Sequence, residues 1–299
     1  MATPILTRFY HPERGNCVGV QLDSTVYEVT EHIPSIGAFL RHSVGHVQDA
    51  ITGLQAIAND SEYAYPTSLF SDPPQAFVPH WLAPTDEQEI WAAGVTYERS
   101  RAARQEESQD GGDIYARVYG AERPELFFKA QGFKVIGPKG NVGIRKDATW
   151  NVPEPELVLV ANPAMELVGF TVGNDMSSRD IEGQNPLYLP QAKVYKASCA
   201  LGPGIVLNPS AEWPDTTIRL SISRAGTEMF AGEISTARIK RRIDELLTYL
   251  GRSSEFEDGV MLLTGTGIVP PSDFTLQADD VTTITIDGIG TLVNTVMVV

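Results

Sequence analysis

Cysteine is nearly absent from the 299 residues: Cys17 and Cys199 stand alone and far apart. Without CxxC spacing there is no disulfide framework, and a reducing, cytoplasmic setting is expected. Histidine is as sparse. His11, His32, His42, His46 and His80 are the five, so none falls in the last 219 residues (299 − 80). A Ser-His-Asp triad, a His-rich zinc site or a Cys-His dyad in the body of the chain must borrow its imidazole from the N-terminal part. His42 and His46 are four apart, but no HExxH and no nearby third ligand accompany them, so they read as surface residues. Basic residues are few: Lys+Arg 23 against Asp+Glu 38 leaves a net charge of −15. That balance disfavours nucleic acid as a partner. It does not forbid an anionic substrate, because a local cation can reverse the field inside one pocket. No apolar run approaches about eighteen residues, so no membrane span is expected. The first thirty residues carry Arg8, Glu13, Arg14 and Asp23 and show no secretory leader pattern. Nucleotide-binding and α/β-hydrolase signatures are missing too. Gly132-x4-Gly137-Pro138-Lys139 is not a P-loop, and neither GxGxxG nor GxSxG occurs.

What is present is an ordinary globular composition, 42% hydrophobic and 20% charged, long enough to bury a large core. Ile5 to Tyr10 and Cys17 to Val29 read as strands, the second broken by a turn at residues 22–25. Ser35 is suited to cap a helix through Phe39 and Leu40. Val47, Ala50, Ile51, Leu54 and Ala58 recur at helical spacing. Pro66, Pro73, Pro74, Pro79 and Pro84 mark an extended linker. The expected organisation is a small N-terminal αβ domain, residues 1–75, and a catalytic domain, residues 76–299. The second part is strand-rich: Ile90 to Gly94, Leu126 to Ala130, Glu156 to Ala161, Leu167 to Gly173, and alternating runs around Ile218 and Ile284. Ser235 is read as opening a helix with the stripe Ile239, Ile243, Leu246, Leu247 and Leu250. The fold class is therefore α+β, mostly β, a rolled and mainly antiparallel body.

With imidazole and thiol scarce, carboxylates are the natural metal ligands. Glu154-Pro155-Glu156 opens a strand, where residues two apart project to one face. Asp175 follows the next strand at a Gly-Asn-Asp break. Three carboxylates make an all-oxygen site that favours Mg2+ or Mn2+ and leaves positions open. The alternative is that Glu154 and Glu156 face solvent on an edge strand. Ser178, Arg179, Asp180, Lys193 and Lys196 follow, and taken singly each reads as a surface group.

Taken together these residues resemble the fumarylacetoacetate hydrolase family. The matching segments are Glu154-Pro-Glu156, then Gly173-Asn-Asp175-Met-Ser177-Ser-Arg179-Asp180, then Lys193 and Gly202-Pro203. Thr264-Gly265-Thr266 and Asp287-Gly288-Ile289-Gly290-Thr291-Leu292-Val293-Asn294 complete the pattern, which covers residues 85–299. The resemblance implies a β-roll of that family's type. It implies a divalent metal on Glu154, Glu156 and Asp175, and homodimers or homotetramers.

Two departures narrow the reading. Hydrolases of the family carry GxNYxxHxxE, in which a His-Glu pair activates water. Here Ser100 stands in place of the His and Ala103 in place of the Glu. Lys196 stands where hydrolases often have Asp. These changes are similar to the branch that dehydrates 2-keto-3-deoxy-pentonates to 2,5-dioxopentanoate. The implied substrate is a small 2-keto-3-deoxy acid held next to Mg2+ (or Mn2+). Lys193 is expected as the base at C3 or as the stabiliser of the enolate. Glu106 or Glu107, in an acidic Gly-containing tract, is the expected acid. Arg179, Lys129, Ser100 and Thr266 are expected to bind substrate by family position. An acylpyruvate or diketo-acid hydrolase using another base is the alternative, and a metal-binding protein without catalysis is a third reading.

Overall fold

The computed structural model describes residues 3–97, 117–210 and 212–299. A twelve-stranded sheet forms the spine. Its main path runs Ala64–Pro66, Thr25–Glu28, Gly15–Leu22, Ile5–His11, Cys199–Leu207, Leu167–Asp175, Pro155–Ala161, Val260–Leu263, Glu89–Gly94 and Glu125–Gln131. A five-stranded sheet, ordered Thr227–Ser235, Thr217–Arg224, Val281–Ile286, Gly290–Val298 and Asn141–Ile144, rolls against it. Between these strands pairing is antiparallel except where Val260–Leu263 meets Glu89–Gly94 and where Gly290–Val298 meets Asn141–Ile144. The mostly-β α+β expectation holds.

Pro155–Ala161 is buried at every residue and lies between two neighbouring strands, so it is not an edge. Its side chains sort by parity. Leu157 and Leu159 join Phe170, Ile218, Leu220, Ile284 and Ile286 in the core between the sheets. Val158 and Val160 join Leu6, Ile36, Phe39, Leu54 and Leu263 beneath the two N-terminal helices. Each such side chain, fully buried, contributes about 1.5–3 kcal/mol. Those helices are Ile36–His42 and Val47–Asn59. The first begins as expected: Ser35 Oγ accepts from Ala38 N at 3.0 Å. Asp86 adds a cap, accepting from Ile36 N at 2.6 Å and Gly37 N at 3.2 Å. This offsets unsatisfied donors and suits the positive end of the helix.

Two local expectations are corrected. The proline-rich passage is not an open linker. Ser71–Gln75 and Val78–Trp81 form a hairpin, and Phe9 and Tyr10 pair with Trp81 and His80. Proline is tolerated there because one side of a hairpin needs no N–H donor. The helix expected from Ser235 starts later, at Ile243. Ser235 instead ends a strand and caps a single 3-10 turn, Thr236–Arg238. The Arg241 guanidinium then donates to the carbonyls of Val118, Ala121 and Glu122, which anchors the chain just before the helix.

Candidate metal centre

Gly173 pairs with Glu156, and a side chain at Gly173 would collide with Leu263, Val158 and Leu201. That close packing defines the helix-side face of the sheet. Asp175, two residues on, and Glu156 share this face at the end of their strands. Asp175 N donates to Glu154 O at 2.9 Å, which extends the ladder and brings Glu154 alongside. Glu154, Glu156 and Asp175 each offer an oxygen within 4.8 Å of the others, and all three are buried. The solvent-facing alternative for Glu154 and Glu156 is thereby excluded.

Cations surround two of the three. Arg179 Nη2 lies 2.8 Å from Glu154 Oε1, and Lys193 Nζ lies 2.7 Å from Glu154 Oε2 and 3.1 Å from Asp175 Oδ2. Lys129 Nζ approaches Asp175 Oδ1 at 2.5 Å, an ion pair whose angle falls short of a directed hydrogen bond. Glu156 differs. Among the described residues it has no ion-pair partner, and its Oε2 accepts from Gly265 N at 2.6 Å. Burial, then the negative charges of Asp175 and Glu154, push its carboxyl well above the usual range. A buried carboxylate whose ionisation is opposed by burial and by neighbouring charges, in an all-oxygen set, fits a hard divalent cation, whose charge offsets both effects. The residues present therefore suit Mg2+ or Mn2+.

The remaining motif residues hold this arrangement. Thr264 Oγ1 donates to Leu157 O at 2.8 Å, and Thr96 Oγ1 donates to Thr264 O at 2.6 Å. Gly265 has a φ of +88°, and a Cβ there would lie 2.1 Å from Thr96 Oγ1. Only glycine turns the backbone N–H onto Glu156 at this spot. Thr266 is buried, and its hydroxyl forms a small turn with Ile268. Asn294 Nδ2 donates to Gly137 O and Gly140 O, tying the C-terminal motif to the turn that packs on Gly202.

The structure thus brings together Glu154, Glu156, Asp175, Arg179, Lys193 and Lys129. Lys196 is exposed and, among the described residues, forms no ion pair with the cluster. Ser100, Glu106 and Glu107 lie outside the described residues. Sequence reading overlooked several neighbours. Phe127 lies under Lys193, its ring 5.8 Å from Nζ, and Glu125 shares that face two residues earlier. Gly94, opposite Glu125, leaves room for the carboxylate: a Cβ there would be 2.0 Å from Glu125 Oε2. Tyr97 is buried beside Glu156, and burial together with that charge raises its phenol. Cys199, paired in register with Asp175, is pushed up to about 12 by burial and is a poor nucleophile. The small residues at 94 and 265 were the available signal for these contacts.

The family profile described as fumarylacetoacetate (FAA) hydrolase C-terminal matches residues 89–297. This chain belongs to the fumarylacetoacetate hydrolase family. It is 42% identical over 288 residues to a probable 2-keto-3-deoxyxylonate dehydratase of Haloferax volcanii, covering 93% of this chain and 94% of the relative. It is 42% identical over 217 residues to the 2-dehydro-3-deoxy-D-arabinonate dehydratase of Saccharolobus solfataricus, covering 71% and 73%. A solved structure of 2-keto-3-deoxy-D-arabinonate dehydratase complexed with magnesium and 2,5-dioxopentanoate superposes with a TM-score of 0.80. That match has 33% identity and covers 99% of both chains.

Proposed function

We propose that this chain is a hydro-lyase that converts a 2-keto-3-deoxy-D-pentonate to 2,5-dioxopentanoate and water. Mg2+ or Mn2+ is its cofactor, and Glu154, Glu156 and Asp175 are the ligands. The observation that carries this reading is the buried cluster itself: three carboxylates, with Lys193 and Arg179 in direct contact. The names of the relatives support it, as does the product in the solved neighbour.

When bound, the divalent ion supplies Lewis acidity toward a 2-keto acid and offsets the negative charge that develops once C3 loses its proton. The chain's own residues do the rest. Lys193 handles the C3 proton and, as an ammonium, is equally a donor to the developing enolate oxygen. Arg179 holds Glu154 in place and, with Thr266 and Ser100, forms the substrate-binding set; Lys129, expected there by family position, is instead turned onto Asp175 and two main-chain carbonyls. Glu106 or Glu107 gives the proton with which the C4 hydroxyl leaves as water. Protons then leave C5 and its hydroxyl while C3 and C4 each gain one. The C5 alcohol ends as an aldehyde with no redox partner. Hydrolysis is disfavoured by Ser100 and Ala103 at the positions of the water-activating pair. Residues 76–299 carry the chemistry, and residues 1–75, the smaller unit, add five strands and two helices to the large sheet.

The test is incubation of the purified protein with 2-keto-3-deoxy-D-pentonate and Mg2+, with NMR identification of the product. 2,5-Dioxopentanoate is expected. Faster cleavage of acylpyruvates to pyruvate and a carboxylic acid would overturn the lyase reading. We also place the protein in the cytoplasm as a homodimer or homotetramer. Its two buried free thiols suit a reducing compartment, and light scattering reads the copy number.

A further inference from the structure

We infer that Lys129 is a positioning residue of the metal centre: it locks one oxygen of Asp175 so that the other is presented to a divalent cation, and it does not touch substrate. This rests on the metal-site reading above and adds a division of labour between two buried lysines.

Glu154 and Asp175 split their oxygens the same way. The outer pair is tied back: Glu154 Oε1 to Arg179 Nη2 at 2.8 Å, and Asp175 Oδ1 to Lys129 Nζ at 2.5 Å. The inner pair, Glu154 Oε2 and Asp175 Oδ2, shares Lys193 Nζ at 2.7 and 3.1 Å. A cation held by the cluster would compete with Lys193 for the inner oxygens and leave Lys129 undisturbed.

The two lysines are equally buried but differently held. Lys129 Nζ donates to Met176 O at 2.9 Å and Lys193 O at 2.5 Å, in addition to its contact with Asp175. Two of the three ammonium hydrogens go to main-chain carbonyls, the charge sits against Asp175 Oδ1, and the side chain is fully buried, so no open side faces a substrate. Main-chain carbonyls cannot swing away, whereas both hydrogen-bond partners of Lys193 Nζ are carboxylate side chains. Met176 follows the ligand Asp175, and the Lys193 carbonyl closes the helix Leu189–Lys193. Lys129 therefore fastens the strand end that carries a ligand to the helix end that carries the reactive lysine.

The backbone is shaped for this. Ile90 pairs with Ala130, but Trp91 pairs with Phe128, so Lys129 is the extra residue of a β-bulge. A bulge breaks strict alternation and re-aims one side chain. Here the re-aimed side chain is the one that reaches Asp175.

The experiment measures Mn2+ affinity by electron paramagnetic resonance for wild type, Lys129→Met and Lys193→Met, with turnover followed against Mg2+ concentration. Removing an outer-shell partner typically costs 10–100-fold in metal affinity. Lys129→Met is expected to weaken Mn2+ by about that factor, and excess metal should restore most of its turnover with substrate KM unchanged. Lys193→Met should bind Mn2+ at least as tightly as wild type and stay slow at every metal concentration. Unaltered Mn2+ affinity in Lys129→Met, or a raised substrate KM at saturating metal, overturns the role given to Lys129. A wild type that binds no Mn2+ sinks the metal reading along with it. Should Lys129→Met not fold, Lys129→Gln, neutral and still able to donate to a carbonyl, carries the same expectation.

Discussion

Toward one edge of the large sheet lies a single buried carboxylate, Glu28. Its Oε2 meets Arg14 Nε at 2.6 Å and the Tyr65 hydroxyl at 3.5 Å, and the Arg14 guanidinium sits 3.7 Å from the centre of the Tyr63 ring. In the middle of the same sheet lie Glu154, Glu156 and Asp175, with Lys129, Lys193 and Arg179 around two of them. At the first place one anion has one cation, and the Arg14 side chain reaches solvent, 25% exposed. At the second, Glu156 has no ion-pair partner among the described residues, and burial and its neighbours disfavour its charge. A buried carboxylate by itself says little, since proteins bury charges when they pair them. A carboxylate held among other carboxylates without its own cation is what marks a site, because its charge is opposed until a cation from outside offsets it.

The largest expected effect is on the cluster. Chelation should abolish turnover, and added Mg2+ or Mn2+ should restore it. Glu156→Gln should lower both metal affinity and turnover by at least about 100-fold, since the outer-shell range of 10–100-fold is a floor for a direct ligand. Full turnover in excess chelator, on protein shown to be metal-free, would leave the cluster no more special than Glu28. Next comes Lys193→Met. It should lower turnover by about 10²–10⁴, the usual range for general acid–base groups. Deuterium exchange at C3, followed by NMR, should fall with it. A mutant that still exchanges at the wild-type rate would show that another group moves that proton. The smallest effect belongs to Glu28→Gln. It should cost about 1–3 kcal/mol, the range for losing a charged hydrogen bond, and lower the melting temperature by a few degrees. Its turnover and metal affinity should match wild type. A selective loss of activity there would remove the distinction between structural and functional carboxylates.

That Glu154 and Glu156 lie side by side was legible in the sequence for a physical reason, whereas their pairing with Asp175 as a metal set rested on the family resemblance. Two carboxylates two apart at a strand opening must share a face, and Pro155 keeps the segment extended. The mostly-β fold was legible from alternation around Ile218 and Ile284. The role of Lys129 was not, because a bulge leaves no mark in Leu126-Phe127-Phe128-Lys129-Ala130; it appears only when Ile90 and Trp91 are aligned with their partners. Helical spacing after Ser235 misled for a related reason. Apolar residues at 239 and 243 fit a helix stripe, yet distant carbonyls at 118, 121 and 122 claim Arg241 and hold the chain between them. The proline-rich passage misled because a hairpin that hangs from another strand has no local signature of its partner.

The strand Ile5–His11 joins the sheet through Cys199–Leu207, with Ile5 opposite Val206. Its partner therefore lies 201 positions away (206 − 5). During synthesis the N-terminal strand emerges long before that partner exists. It can zip early with Gly15–Leu22, a local step, and Phe9 and Tyr10 can pair with Trp81 and His80 soon after, but the Ile5–Thr7 half of its other edge must wait. Until residue 207 has left the ribosome, the main-chain groups facing that gap are unpaired, as on any open sheet edge. Such distant pairings are slow to close and expose partly folded chains to aggregation. The same Cys199–Leu207 strand pairs on its opposite side with the strand that ends at Asp175. Completing the sheet from the N-terminus and building the floor of the metal centre are thus one event, which comes late in the life of the nascent chain.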